Sequence, residues 1–168
     1  MRCLPIALAY ADQEKMEELT ALHSRMTHAD DRATEACLIY NRIAFRVLRG
    51  EPLAKAIQKE VENTRYEPLL MMPPSYPPDG YVVHTMGWVL HWLLRCESFE
   101  DVVIAAANMG GDSDTIAAIA GGLKGLEVGY SQLPKRFVEA IVCADELEEL
   151  AVQLMKVRHL FGSGAARG

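Results

Sequence analysis

Apolar residues in this 168-residue chain recur at three-to-four spacing almost from end to end, and no useful stretch alternates with period two. A half-buried strand needs period two, whereas a spacing near 3.6 stacks side chains on one face of a helix. The core must therefore be built from helices. Half the residues are apolar and 24% are charged, the balance of a soluble globular protein, and the length suits one compact domain with a real core. The expected fold is all-α, compact, with six to eight helices over residues 1–160 and a disordered tail, 161–168.

Glycines, prolines and capping residues divide the chain. A short start contains Pro5. The stretch Asp12–Met26 carries Met16, Leu19 and Leu22 on one face, with acids early and Arg25 late. Asp30 or Asp31 caps a longer helix whose stripe is Ala33, Cys37, Tyr40, Ala44 and Val47–Leu48, and Gly50 ends it. Pro52 opens a third helix to about Asn63, with Leu53, Ile57 and Val61 inward. Between Glu67 and Gly80 five of the eight prolines interrupt any helix. That segment reads as an ordered loop, with polyproline docking to another protein as the alternative. Helices follow over Tyr81–Arg95, Phe99–Ala107 (capped by Ser98) and Asp114–Lys124 (ended by Gly125). Pro134 opens a long helical region to about Leu160.

Charge narrows the partners. Seventeen basic against twenty-three acidic residues give a net charge of −6, the wrong sign for binding a polyphosphate backbone, so nucleic acid is excluded as the main partner. Apolar runs such as Val102–Ala107 and Ile116–Ala120 fall far short of the roughly 20 residues that span a bilayer, so no membrane partner is expected. The N-terminus shows no apolar h-region or cleavage site. Cys3, Cys37, Cys96 and Cys143 are widely spaced, which reads as reduced thiols in a cytoplasmic protein rather than a disulfide framework or zinc site.

One stretch departs from what packing alone would choose. In Asn108-Met109-Gly110-Gly111-Asp112-Ser113-Asp114-Thr115, two glycines permit a sharp turn, and oxygen-bearing side chains then arrive at the first turn of an apolar helix. Two carboxylates separated by one residue and followed by a hydroxyl form a partial cage for a hard cation such as Mg²⁺, Mn²⁺ or Ca²⁺, the rest of the coordination coming from water, substrate or another segment. The same residues also suit simple N-capping, and spacing alone leaves both readings open. The histidines say less. His84 and His91 lie about 10.5 Å apart along one helix axis, too far for one metal.

The segment GGDSDTIAAIAGGLKG resembles the C-terminal metal motif of the ADP-ribosylglycohydrolase family, especially its bacterial dinitrogenase reductase-activating type. Three stretches agree in order: Met1-Arg2-Cys3-Leu4-Pro5-Ile6-Ala7-Leu8; Thr27-His28-Ala29-Asp30 followed by Glu35-Ala36-Cys37; and Gly80-Tyr81-Val82-Val83-His84-Thr85. The resemblance implies an all-α fold with a two-metal centre of Mg²⁺ or Mn²⁺ that hydrolyses the glycosidic bond between ADP-ribose and a modified side chain or small acceptor. It makes Asp112, Asp114 and Thr115 metal ligands, Asp112 and Asp114 also catalytic. Gly80, Tyr81, Val82, His28, Gly110, Gly111 and Ser113 would line the substrate site. The family's N-terminal T-D-D ligand set and Gly-Asn-Gly stretch are not in this sequence, so the expectation is an N-terminally truncated domain with half of the ligands, working with a separate N-terminal fragment. The alternatives are an inactive family derivative serving as a structural or binding protein, and a helical module with capping aspartates only.

Overall fold

The computed structural model describes residues 2–162, with side chains through Leu160. Among them are nine α-helices and no strand. The helices are α1 (Leu4–Ala9), α2 (Gln13–Arg25), α3 (Asp31–Val47), α4 (Leu53–Val61), α5 (Val82–Arg95), α6 (Phe99–Ala107), α7 (Ser113–Val128), α8 (Lys135–Val138) and α9 (Ala144–Gly162). Single 3₁₀ turns occupy Glu67–Leu70 and Tyr130–Gln132. No helix of the described residues is long and apolar enough to cross a membrane.

The third helix is the centre of the fold, because it is the one whose apolar residues cover more than one face. Ile39, Tyr40, Ile43, Ala44 and Val47 are all buried, and α3 touches α1, α2, α4, α5 and α7. Its start is fixed by Asp30, whose carboxylate accepts the N–H groups of Arg32 and Ala33 at 2.8 and 3.3 Å. Asp12 and Ser98 cap α2 and α6 in the same way.

Two polar contacts tie this helix to its neighbours. Fully buried Asn41 donates through Nδ2 to the Cys3 carbonyl at 3.0 Å and to Thr20 Oγ1 at 2.8 Å, and Thr20 in turn donates to the Met16 carbonyl. One amide thus joins α3, α2 and the residue before α1. On the other side the Tyr40 hydroxyl donates to the Ile119 carbonyl of α7 at 2.9 Å. That approach needs Gly122, where a Cβ would lie 2.7 Å from the Tyr40 oxygen and 3.1 Å from Leu4 Cδ2. The last helix is held differently. Arg158 donates to the carbonyls of Ala7, Leu8 and Tyr10 at 2.8–3.2 Å, closing the end of α1 with a guanidinium.

Four segments differ from the sequence reading. Leu4–Ala9 is a helix, with Pro5 at its first turn where a missing N–H costs nothing. Within the proline-rich segment, Glu67–Leu70 forms a 3₁₀ turn that buries Leu69. The segment as a whole is an ordered loop: Pro74 is buried and Trp88 Nε1 donates to the Tyr76 carbonyl at 3.2 Å. The expected stop at Gly125 is not taken. Helix α7 continues to Val128, because Leu126 still packs on the core, and it ends at Gly129 with φ +79°. The helical region expected after Pro134 consists of two helices, α8 and α9, separated by residues 139–143, and α9 extends to Gly162. Residues 163–168 of the expected tail lie outside the described residues.

The Tyr40–Gly122 contact is open to a double-mutant cycle. Gly122→Ala is expected to lose about 1–3 kcal/mol by overpacking and Tyr40→Phe about 1 kcal/mol. The double variant should recover part of the Gly122→Ala loss, since the clashing atom is then gone. Urea denaturation of the four proteins measures it; strict additivity would show that the hydroxyl is not the obstacle.

Candidate functional site

The chain between α6 and α7 reverses at Asn108–Asp112, with Gly110 and Gly111 at φ +77° and +62°. Gly111 is required for two reasons. Its backbone is left-handed, and a Cβ there would sit 2.0 Å from the Pro78 carbonyl oxygen. With no side chain at that point, the Asp112 N–H donates to the same carbonyl at 2.7 Å. The proline-rich segment is thereby pinned against the glycine turn. Pro77, Pro78, Asp79 and Gly80 on one side and Met109, Gly111 and Asp112 on the other line an open groove.

Asp112 occupies the N-cap position of α7, yet its carboxylate accepts no capping bond from the backbone. Its Oδ1 accepts the Thr115 hydroxyl at 2.9 Å, and its Oδ2 faces Gly80, where a Cβ would lie 3.5 Å away. Asp114 is exposed, and its Oδ1 accepts the Thr115 N–H at 2.9 Å. The two expected roles are therefore divided: Asp114 satisfies one of the helix's free N–H groups, while Asp112 is oriented by a side chain and presents an oxygen to the groove. Ser113 is the first residue of α7, and Gly110 is exposed with open space around its Cα.

Gly80 lines this groove, and Tyr81 follows it at the N-cap of α5. Asp79 organises the approach, its Oδ1 accepting the Tyr81 N–H at 3.0 Å and His84 Nδ1–H at 2.9 Å, while Thr85 Oγ1 donates to its carbonyl. His84 stacks flat on Tyr76 with centroids 4.3 Å apart and meets the Tyr81 ring edge-on at 4.9 Å. The Tyr81 hydroxyl accepts Arg32 Nη1–H at 3.0 Å, which links the start of α5 to the first turn of α3. His28 lies just ahead of that turn, exposed, with Nδ1 3.0 Å from Thr27 Oγ1. Val82 lines a separate small pocket on the α3 side. Asp79, Arg32, Tyr76 and His84 were not singled out as site residues from sequence. The one-turn spacing of Tyr81 and His84 is a local signal that bears on His84.

The donors here fit a hard cation in kind: two carboxylates and a hydroxyl, all oxygen. They do not complete a cage. Among the described residues, no group of three or more His, Cys, Asp or Glu side chains is placed to hold a metal ion.

These features define an all-helical domain with an acidic, glycine-shaped turn at the head of a buried helix. The profile of the ADP-ribosylglycohydrolase family matches residues 1–162, and the chain belongs to that family. It is 30% identical over 144 residues to the ADP-ribosyl-[dinitrogen reductase] glycohydrolase of Rhodospirillum rubrum, covering 84% of this chain and 49% of that protein. It is 28% identical over 139 residues to the ADP-ribosylarginine hydrolase Tri1 of Pseudomonas putida (strain GB-1), covering 78% and 38%. A solved structure described as an ADP-ribosylglycohydrolase-related protein complex superimposes with a TM-score of 0.81 at 26% identity, covering 90% of this chain and 56% of that one. The chain thus spans about half the length of the curated relatives it matches, from 38% to 57%.

The turn makes a graded expectation. Gly110→Ala meets only the left-handed backbone penalty, about 1–2 kcal/mol, because nothing stands near its Cβ. Gly111→Ala adds the clash with Pro78 and should lose distinctly more, with faster amide exchange at Asp112. Equal losses for the two variants, read by urea denaturation, would overturn the Gly111–Pro78 contact.

Proposed function

We propose that this chain carries part of the active site of a hydrolase that removes ADP-ribose from a modified protein side chain or a small conjugate, with Mg²⁺ or Mn²⁺ held at Asp112, Asp114 and Thr115. The observation that carries the reading is the Asp112 carboxylate, set by Thr115 and turned toward the Gly80 groove instead of capping α7. Family membership and relatives named as ADP-ribosyl hydrolases support it. A bound pair of divalent cations would supply a water of lowered pKa and offset the charge of the diphosphate.

The chain's own residues bind and orient. Asp112 and Asp114 offer carboxylate oxygens at the positive end of α7, where the helix dipole offsets part of their mutual repulsion. Gly110 and Gly111 keep the groove floor free of side chains. Tyr81, with its ring braced by His84 and its hydroxyl by Arg32, forms an exposed aromatic wall for a nucleotide, and exposed His28 lies just ahead of the α3 turn that carries Arg32. Further metal ligands come from water, substrate or a segment not among the described residues.

A second reading, a domain that binds ADP-ribose without cleaving it, is favoured by the absence of a three-ligand cluster among the described residues.

One experiment separates them. ADP-ribose release from an ADP-ribosylarginine conjugate is followed with Mn²⁺ or Mg²⁺, with and without a co-expressed segment equivalent to the rest of the Rhodospirillum rubrum relative. Release that needs the metal and falls at least about 100-fold in Asp114→Ala, roughly 2.7 kcal/mol of transition-state stabilisation, supports hydrolysis. ADP-ribose binding with no release under any condition supports the binding module. Release unaffected by Asp114→Ala sinks the ligand assignment.

A further inference from the structure

Cys3 and Cys37 are distant in sequence and adjacent in the fold. Asn41, one turn after Cys37 on α3, holds the Cys3 carbonyl at 3.0 Å, so the backbone of Cys3 is fixed against the same turn of α3. The two side chains line the same small pocket. They are not equivalent. Cys3 is 3% exposed, whereas Cys37 is half-buried.

Both line a small, mostly apolar pocket of about 50 Å³, walled by Tyr40, Val82, Thr85 and Ile119, which is large enough for a molecule the size of water or peroxide. The Cys3 thiol as donor, and then Ser24, hold Cys37 below the ordinary thiol range, against the effect of burial. The contact with Cys37, followed by burial, pushes Cys3 up. A half-buried thiol beside a fully shielded one is the arrangement in which one sulfur reacts and the other resolves.

We propose that Cys37 and Cys3 form an oxidisable pair in which Cys37 reacts with hydrogen peroxide and Cys3 resolves the product as an intramolecular disulfide. Cys37 thiolate attacks one peroxide oxygen, the O–O bond breaks, and the hydroxide released takes up a proton to leave water and a sulfenic acid. Cys3 sulfur then attacks Cys37 Sγ, the S–O bond breaks, and the departing hydroxide takes the Cys3 proton as a second water. Peroxide is reduced by two electrons and the two thiols supply them. The bond would staple the residue before α1 to α3, behind the α5 wall that follows Gly80 and Tyr81. This inference rests on the packing of α1 and α3 and stands apart from the glycohydrolase reading.

The test treats the whole chain with one equivalent of hydrogen peroxide, alkylates the remaining thiols after denaturation, and maps tryptic peptides by mass spectrometry. The expected result is a dithiothreitol-reversible link between peptides 3–15 and 33–42, formed before the exposed Cys143 is oxidised. Cys37→Ser should lose the link, and Cys3→Ser should leave a sulfenic acid at Cys37 that dimedone traps. Recovery of both peptides singly, at a peroxide level that oxidises Cys143, overturns the proposal. That comparison uses the unmodified protein, so it decides the question even if a serine variant fails to fold.

Discussion

The contact on which the site depends is the one between the Pro78 carbonyl and the Asp112 N–H. It joins two segments that have no regular structure of their own, a proline-rich loop and a glycine turn, and it exists only because Gly111 has no side chain to keep them apart. From it follow the position of Gly80 beside the Asp112 carboxylate, the entry of Tyr81 into α5, and the groove between the two loops. The helices behind are rigid and well packed, with Ile116, Ala120 and Leu123 fully buried, so the loops are set on a firm base. Rigid scaffold and shaped loops together account for a site that needs few residues of its own.

Charge explains the placing of the acids. Two carboxylates this close in sequence repel one another, and the start of α7 is where the free N–H groups and the helix dipole make that repulsion least costly. Asp114 takes one of those N–H groups, while Asp112 is steadied by a hydroxyl and leaves an oxygen outward. A purely structural cap would have turned Asp112 inward onto the backbone.

The helices were legible because their signals are local. Asp12, Asp30 and Ser98 cap where their side chains suggest, and the stripes Leu53–Ile57–Val61 and Met86–Val89–Leu90–Leu93 are buried as periodicity requires. The errors have tertiary causes. Gly125 was read as a stop, but Leu126 beyond it gains burial by continuing the helix. The helical region after Pro134 divides in two because residues 139–143 turn before α9 begins. At the site, the motif residues could be read directly, since the glycines and acids are contiguous. Arg32 and Asp79 could not, because their roles depend on long-range approach: Arg32 reaches Tyr81 from another helix, and Asp79 acts through the turn that Pro78 anchors.

The guanidinium of Arg158 has a consequence for how the molecule comes apart. Helix α9 is attached mainly through α1, and Leu147, Leu150, Val152, Met155 and Leu160 on it remain substantially exposed. Among the described residues, the Arg158 clasp on three carbonyls is joined only by half-buried apolar side chains such as Leu154 and Val157. Such an element opens below the free energy of global unfolding, as a separate cooperative unit. By that rule the C-terminal helix is expected to open more easily than the α3-centred core on which the acidic turn is mounted.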